Sequence, residues 1–219
     1  MIESPAQPPS RREMNKAATR TAIVHAALAQ LETAGYAALT AESVADAAGI
    51  SRRTFFNYFP SIEAALNEPN RLLLENAVGV LDELDPAIDL LSAAVTAVES
   101  LVDPALLEPI ANLYLHASAH PQMARMQLEA WNDCAEALTE IITARAPHGT
   151  PLAASVLAQS VIGAGKAAFA AWSRELGESP DAADPRRTAL LRATLAEAVA
   201  QLRDGFPSLQ RRAPHPRKA

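Results

Sequence analysis

The sequence predicts an all-α chain: an N-terminal three-helix domain built around a helix-turn-helix, then a larger C-terminal helical domain, about nine helices in all. Three observations carry this. Apolar residues recur at three- and four-residue spacing, and no segment shows the strict alternation of a half-buried strand. Five prolines, in Asp85-Pro86, Asp103-Pro104, His120-Pro121, Thr150-Pro151 and Asp184-Pro185, each fit a first helical position, and four of the five follow a capping Asp or Thr. The stretch Thr40 to Phe59, TAESVADAAGISRRTFFNYF, has the spacing of two short helices joined by a tight turn.

Residues 1–10 read as a Pro-rich flexible arm. Arg11 to Ala34 reads as a helix with Ile23, Val24, Ala27, Leu28 and Leu31 on one face, closed by Gly35 and the fold-back of Tyr36. Thr40 is placed to cap the second helix, and Glu42 and Asp46 supply early negative charge. Gly49 suits the positive φ of the turn, and Ala45 stands where two helices cross too closely for a larger side chain. Val44, Ala48, Ile50, Phe55 and Tyr58 fall at inward positions, with Phe55 and Phe59 read as core. Ser51 caps the third helix and leaves Arg52, Arg53 and Thr54 at its N-terminus, the end that enters the major groove in this motif.

Beyond Pro60 and Ser61 a long fourth helix is interrupted by Pro69, which predicts a break near Asn67 to Asn70, either a mechanical joint or an ordinary boundary loop. Five further helices are expected at about 86–101, 104–118, 121–146, 151–177 and 185–204, and the tail 207–219 reads as basic and disordered. The predicted domains are therefore 11–60 and 61–206.

The run GYAALTAESVADAAGISRRTFFNYFPSIEAAL, Gly35 to Leu66, resembles the TetR/AcrR family of transcriptional regulators. It carries the Gly-aromatic step, the Leu-Thr start of the second helix, the Ala-Gly-aliphatic-Ser turn, Thr-Phe-aromatic, and the Phe-Pro-Ser junction. The resemblance implies a ligand-responsive regulator, most often a repressor, with a double-stranded DNA operator and a small-molecule effector as partners. Thr40 and Tyr58 match positions that lie on the DNA backbone; Ser51, Arg52, Arg53, Thr54 and Asn57 complete the DNA-binding set. Arg52 and Arg53 are the specificity candidates, since an arginine bidentate to guanine is worth about 1–3 kcal/mol of discrimination, although either can serve a phosphate instead. Ile62 stands where the family usually has a phosphate-contacting lysine, a departure that weakens binding without removing it.

The resemblance also implies an effector pocket among the fifth to eighth helices. Tyr114, His116, Met123, Gln127, Trp131 and Phe169, with Glu99 and Asn112, are its candidate residues, though the apolar ones serve equally as core. Lys166, alone in an apolar helix, is either a rim residue or a counterion for an acidic ligand. Homodimerisation is expected through the helices at about 151–177 and 185–204, where Gly163, Gly165 and several alanines permit close approach and Leu190, Leu191, Leu195, Val199 and Leu202 follow helical spacing. The same residues would serve an intrachain core.

The net charge of −6 argues against a wholly basic nucleic-acid coat, yet residues 1–60 hold six Lys and Arg against five acids, so the acid excess lies elsewhere. Cys134 is the single cysteine, which excludes an intrachain disulfide; the five histidines show no metal-ligand spacing, and neither a metal nor a cofactor is expected. The first twenty residues do not read as a signal peptide, and the most apolar run, Ser155 to Trp172, contains Lys166, so a cytoplasmic protein away from the membrane is expected. No nucleophile–base pair, phosphate-binding glycine loop or paired carboxylate points to an enzyme. The alternative is a helical ligand-binding or adaptor protein that has lost specific DNA binding.

Overall fold

A computed structural model describes residues 10–85, 88–100, 104–146, 148–177 and 186–209. They form ten α-helices and no strand: α1 (Arg11–Ala34), α2 (Ala41–Ala47), α3 (Arg52–Tyr58), α4 (Ile62–Leu66), α5 (Glu68–Glu83), α6 (Leu90–Ser100), α7 (Pro104–Ala119), α8 (Pro121–Arg145), α9 (Pro151–Leu176) and α10 (Arg186–Asp204). The chain divides into two compact units, Met1–Glu68 and Pro69–Ala219.

In the first unit the helix ends follow local chemistry. Ser10 and Glu13 form a reciprocal capping box that starts α1. Gly35 ends the helix at φ +76°, its N–H donating to the Leu31 carbonyl at 3.1 Å. Thr40 accepts from the Ser43 N–H at 3.0 Å and Ser51 from that of Thr54 at 3.1 Å, the two caps expected. Gly49 adopts φ +69° in the turn between α2 and α3. Ile23, Val24, Ala27 and Leu31 of α1 are buried, as are Val44, Ala45, Phe55 and Phe59; α1 packs on α2 and α2 on α3, and Ala45 is wholly enclosed.

Pro69 does break the fourth helix, at Asn67, which makes ten helices rather than nine. The proline becomes the second residue of α5, where its missing N–H is not needed by the helix. The sequence expectation ended the N-terminal domain at Pro60, but Ala65 and Leu66 of α4 are fully buried and α4 packs on α1, so α4 stays with the first unit.

In the second unit, Leu107, Ile110, Phe169, Trp172, Leu191 and Leu195 form one core cluster from α7, α9 and α10. Leu138, Ile142, Ala154 and Ala158 form another between α8 and α9. Trp172 Nε1–H donates to the Arg187 carbonyl at 2.9 Å, which satisfies the one polar atom of a buried indole. The helix expected from 86 begins at Leu90 instead, because Asp89, not Asp85, caps it: its carboxylate accepts from the Ser92 N–H at 2.9 Å. Thr150 caps α9 through the Ala153 N–H at 3.2 Å; His120 makes no side-chain cap; Asp103 and Asp184 lie outside the described residues, as do the arm 1–9 and the tail 210–219. α9 is long and apolar enough to cross a membrane by length and composition, but Ala158, Ala168, Phe169 and Trp172 are buried in this unit's core and Lys166 interrupts it.

Candidate DNA-binding surface and effector cavity

Helix α3 separates its side chains by depth. Phe55 and Phe59 are 0% and 1% exposed and fix the helix to the domain, while Ser51, Arg52, Arg53, Phe56 and Asn57 face outward and Thr54 and Tyr58 are half-buried. Phe56 is 45% exposed, stands edge-on to Phe55, and lies 5.6 Å from the Arg52 guanidinium. An outward apolar ring among cations suits a thymine methyl or a sugar. Sequence reading placed Phe55 and Phe59 but gave Phe56 no role; two successive aromatics on one helix cannot both point inward, and that was the available signal. Thr40 is exposed at the start of α2, and Ser43 there is held by Gln30 of α1, whose amide donates to the Ser43 carbonyl at 2.8 Å. Ile62 is half-buried as the first residue of α4 and brings no charge to the surface.

A second residue missed in the sequence is Arg20. Its guanidinium forms a two-pronged ion pair with Glu68, the Nη2–H donating to Oε2 at 2.7 Å. It also donates to the Tyr58 carbonyl at 3.2 Å, at the C-terminus of α3, and lies 4.2 Å over the Phe59 ring. One arginine of α1 therefore clamps the end of α3. A contact 38 and 48 residues away in sequence leaves no local pattern to find. Tyr36 adds a second polar tie, its hydroxyl donating to Glu63 Oε1 at 2.6 Å. That bond holds the Glu63 carboxyl below its usual range and, with burial, pushes the Tyr36 hydroxyl up to about 12.

In the second unit a cavity of about 160 Å³ opens among α5, α6, α8 and α9. From α5 come Asn70, Leu73, Leu74, Ala77 and Leu81, a single helical stripe; from α8, Trp131, Cys134 and Leu138; from α9, Val161, Ile162, Gly165, Lys166 and Phe169. Of the residues expected there, Trp131 and Phe169 line it. Tyr114 and Gln127 line a shallower neighbouring pocket that shares Trp131, which stacks on Tyr114 with centroids 6.1 Å apart. Met123 is fully buried, Glu99 is exposed, Asn112 accepts from Arg187 at 3.0 Å, and His116 is half-buried; none of these four lines the main cavity. Helix α5 was not expected in the lining, because the break at Asn67 was needed to give it a face of its own. Burial, with Asp133 beside it, raises the Cys134 thiol, which removes the thiolate character a redox sensor needs. Among the described residues no group of three His, Cys, Asp or Glu could hold a metal ion.

Residues 23–68 match the family model of bacterial regulatory proteins, tetR family. That segment is TetR-family sequence. The match runs from the inner face of α1 to Glu68, so it includes the recognition helix and the Arg20 clamp's acidic partner. The fold of solved TetR-type structures extends over most of the chain. A protein assigned to the TetR-family transcriptional regulators, from Syntrophomonas wolfei str. Goettingen, aligns with TM-score 0.58 at 14% identity, over 89% of this chain and 99% of its own. The fatty acid degradation regulator FadR from Bacillus halodurans aligns with TM-score 0.50 at 16% identity, over 90% and 99%. No curated protein matches the chain.

Proposed function

We propose that this chain is a homodimeric transcriptional regulator that binds a DNA operator through α3 and is released from it by a small molecule held in the C-terminal unit. The observation that carries the reading is the outward row Arg52, Arg53, Phe56 and Asn57 on a helix pinned from behind by Phe55 and Phe59. It lies within a family match that brings the DNA-binding role with it. Thr40, Ser51, Thr54 and Tyr58 flank that row, so polar groups suited to phosphate surround side chains suited to base edges.

Dimerisation is supported by α9. Leu152 and Val156 are 73% and 56% exposed and continue into exposed Gly163 and Ala167, a stripe of apolar and small residues along one face. Of the leucines and valine expected at the interface on α10, Leu191, Leu195 and Val199 are already buried within the chain, which leaves Leu190 and Leu202 for a partner. A dimer would present two recognition helices to half-sites roughly 34–36 Å apart. Ligand binding would act by population shift, through tighter binding to the form that does not fit both grooves. The cytoplasm is the compartment this role requires.

The test is binding of the full chain to tiled fragments from around its own gene, at two salt concentrations with competitor DNA. One fragment held at the higher salt and lost with Arg52→Ala/Arg53→Ala supports the reading, each arginine contributing about 1–3 kcal/mol if it reads a base. Retention of one fragment that ignores the double substitution moves the base contacts off Arg52 and Arg53, and only salt-sensitive binding to every fragment favours the ligand-binding adaptor instead.

A further inference from the structure

We propose that the cavity of the C-terminal unit takes a compact apolar monoanion, its carboxylate bound by Lys166 and the Asn70 amide and its apolar body lying toward Leu81, Leu138 and Ile162. As an effector site this rests on the regulator reading above; as a binding site it does not.

Among the described residues Lys166 is the one charged residue lining a cavity whose other walls are almost wholly hydrocarbon. It is half-buried and, among the described residues, has no hydrogen bond or ion pair; its ammonium lies over the face of Trp131, 5.2 Å from Nζ to the ring centroid. An ammonium in such a setting has lost part of its hydration without gaining an anion, so an anion placed there recovers energy that water no longer supplies. Asn70 is the second polar group in the lining. It is 8% exposed, and its side-chain amide has no hydrogen-bond partner among the described residues. An amide N–H₂ and an ammonium together match the two oxygens of a carboxylate.

The two groups stand at the same end. Arg145, the last residue of α8, pairs with Asp82 near the end of α5, and two turns further back Leu74 of α5 packs on the cluster that holds Leu138 of α8; the two contacts stand in the same order along both helices, so the helices run in the same direction. Counting back along each at about 1.5 Å per residue brings Asn70 level with Trp131 to Cys134. Lys166 lies over that same Trp131. Leu81, Leu138, Val161 and Ile162 occupy the opposite, apolar end. The cavity is thus polar at one end and greasy at the other. Its volume of about 160 Å³ compares with the roughly 150 Å³ that accepts a benzene ring, which selects a ring or short chain on a carboxylate.

The probes are benzoate, benzamide and benzylamine, titrated into the full chain by calorimetry and by tryptophan emission. The carboxylate is expected to bind at least about tenfold more tightly than the amide, with the amine weaker still. Lys166→Met should cost the carboxylate about tenfold or more and leave the amide within about twofold, while Lys166→Arg retains the preference. Equal binding of acid and amide by the unaltered protein, or undiminished acid binding by Lys166→Met, overturns the proposal. The acid–amide comparison decides the matter even if Lys166→Met does not fold. Operator binding separates this inference from the regulator reading. An acid that binds through Lys166 yet leaves operator affinity unchanged keeps the site and removes its effector role. An operator released by the neutral or cationic probe, but not by the acid, overturns the site assignment and leaves the regulator reading intact.

Discussion

Replacing Arg20 with methionine should loosen the recognition helix although Arg20 lies outside α3. Glu68 is 4% exposed and Arg20 33% exposed, so the pair is buried on the side of the carboxylate and partly wet on the side of the guanidinium. Removing one partner of a buried pair costs about 3–5 kcal/mol, because the remaining charge keeps its desolvation penalty; the exposure of Arg20 places this case at about 3 kcal/mol. The bond to the Tyr58 carbonyl and the contact with Phe59 are lost with it, so the opening falls on the end of α3. Both tryptophans lie in the second unit, which makes their fluorescence blind to this event; amide hydrogen exchange on residues 52–59 is the suitable assay. A loss of about 3 kcal/mol corresponds to roughly a hundredfold faster exchange there. Arg20→Met/Glu68→Leu, which removes the buried carboxylate as well, should recover most of the protection. A change of less than about threefold in Arg20→Met, or a double variant no better than the single one, would refute the clamp.

Three further outcomes follow from named contacts. Tyr36→Phe should flatten the pH dependence of stability at both extremes. Glu63 is depressed in the fold, so its contribution is present above the ordinary carboxylate value and is lost as pH falls through the folded one. Tyr36 is raised to about 12, so its contribution is complete below pH 10 and is lost as pH rises toward 12. Denaturation midpoints across pH check both limbs, and an unchanged profile in Tyr36→Phe sinks the assignment. Gly165→Ala should stabilise α9 by about 0.5–1 kcal/mol, since a Cβ there meets nothing within 4 Å, while Gly165→Leu should fill the cavity and abolish probe binding without unfolding the chain. Cys134 should alkylate slowly at neutral pH because burial raises its thiol, and slower still with benzoate bound; rapid labelling that ignores the ligand contradicts the cavity placement.

Helix ends were legible because their causes are local. Ser51, Thr40 and Thr150 each cap within three residues, and Gly35 and Gly49 take the positive φ that the chain pattern demanded. The same logic misplaced the start of α6, where Asp85-Pro86 and Asp89 both offer a cap and only packing chooses between them. The cavity was harder. Met123 has the composition of a pocket residue and sits in the core, whereas Leu73, Leu74 and Ala77, unremarkable in the sequence, form a wall.

The sequence by itself determined the all-α class, the turn at Gly49, the burial of Phe55 and Phe59, and the outward place of Arg52 and Arg53. These depend on periodicity and on bonds spanning three or four residues, both written into neighbouring letters. Tertiary structure alone decided that Arg20 of α1 holds the end of α3 and that Lys166 stands in a cavity rather than at a rim. It also decided that α5 lines that cavity. Such facts join groups tens of residues apart, and no local propensity records which distant side chain will arrive. A charged residue in an apolar helix reads the same in sequence whether it faces solvent or an unfilled space; only the neighbours brought by folding distinguish them.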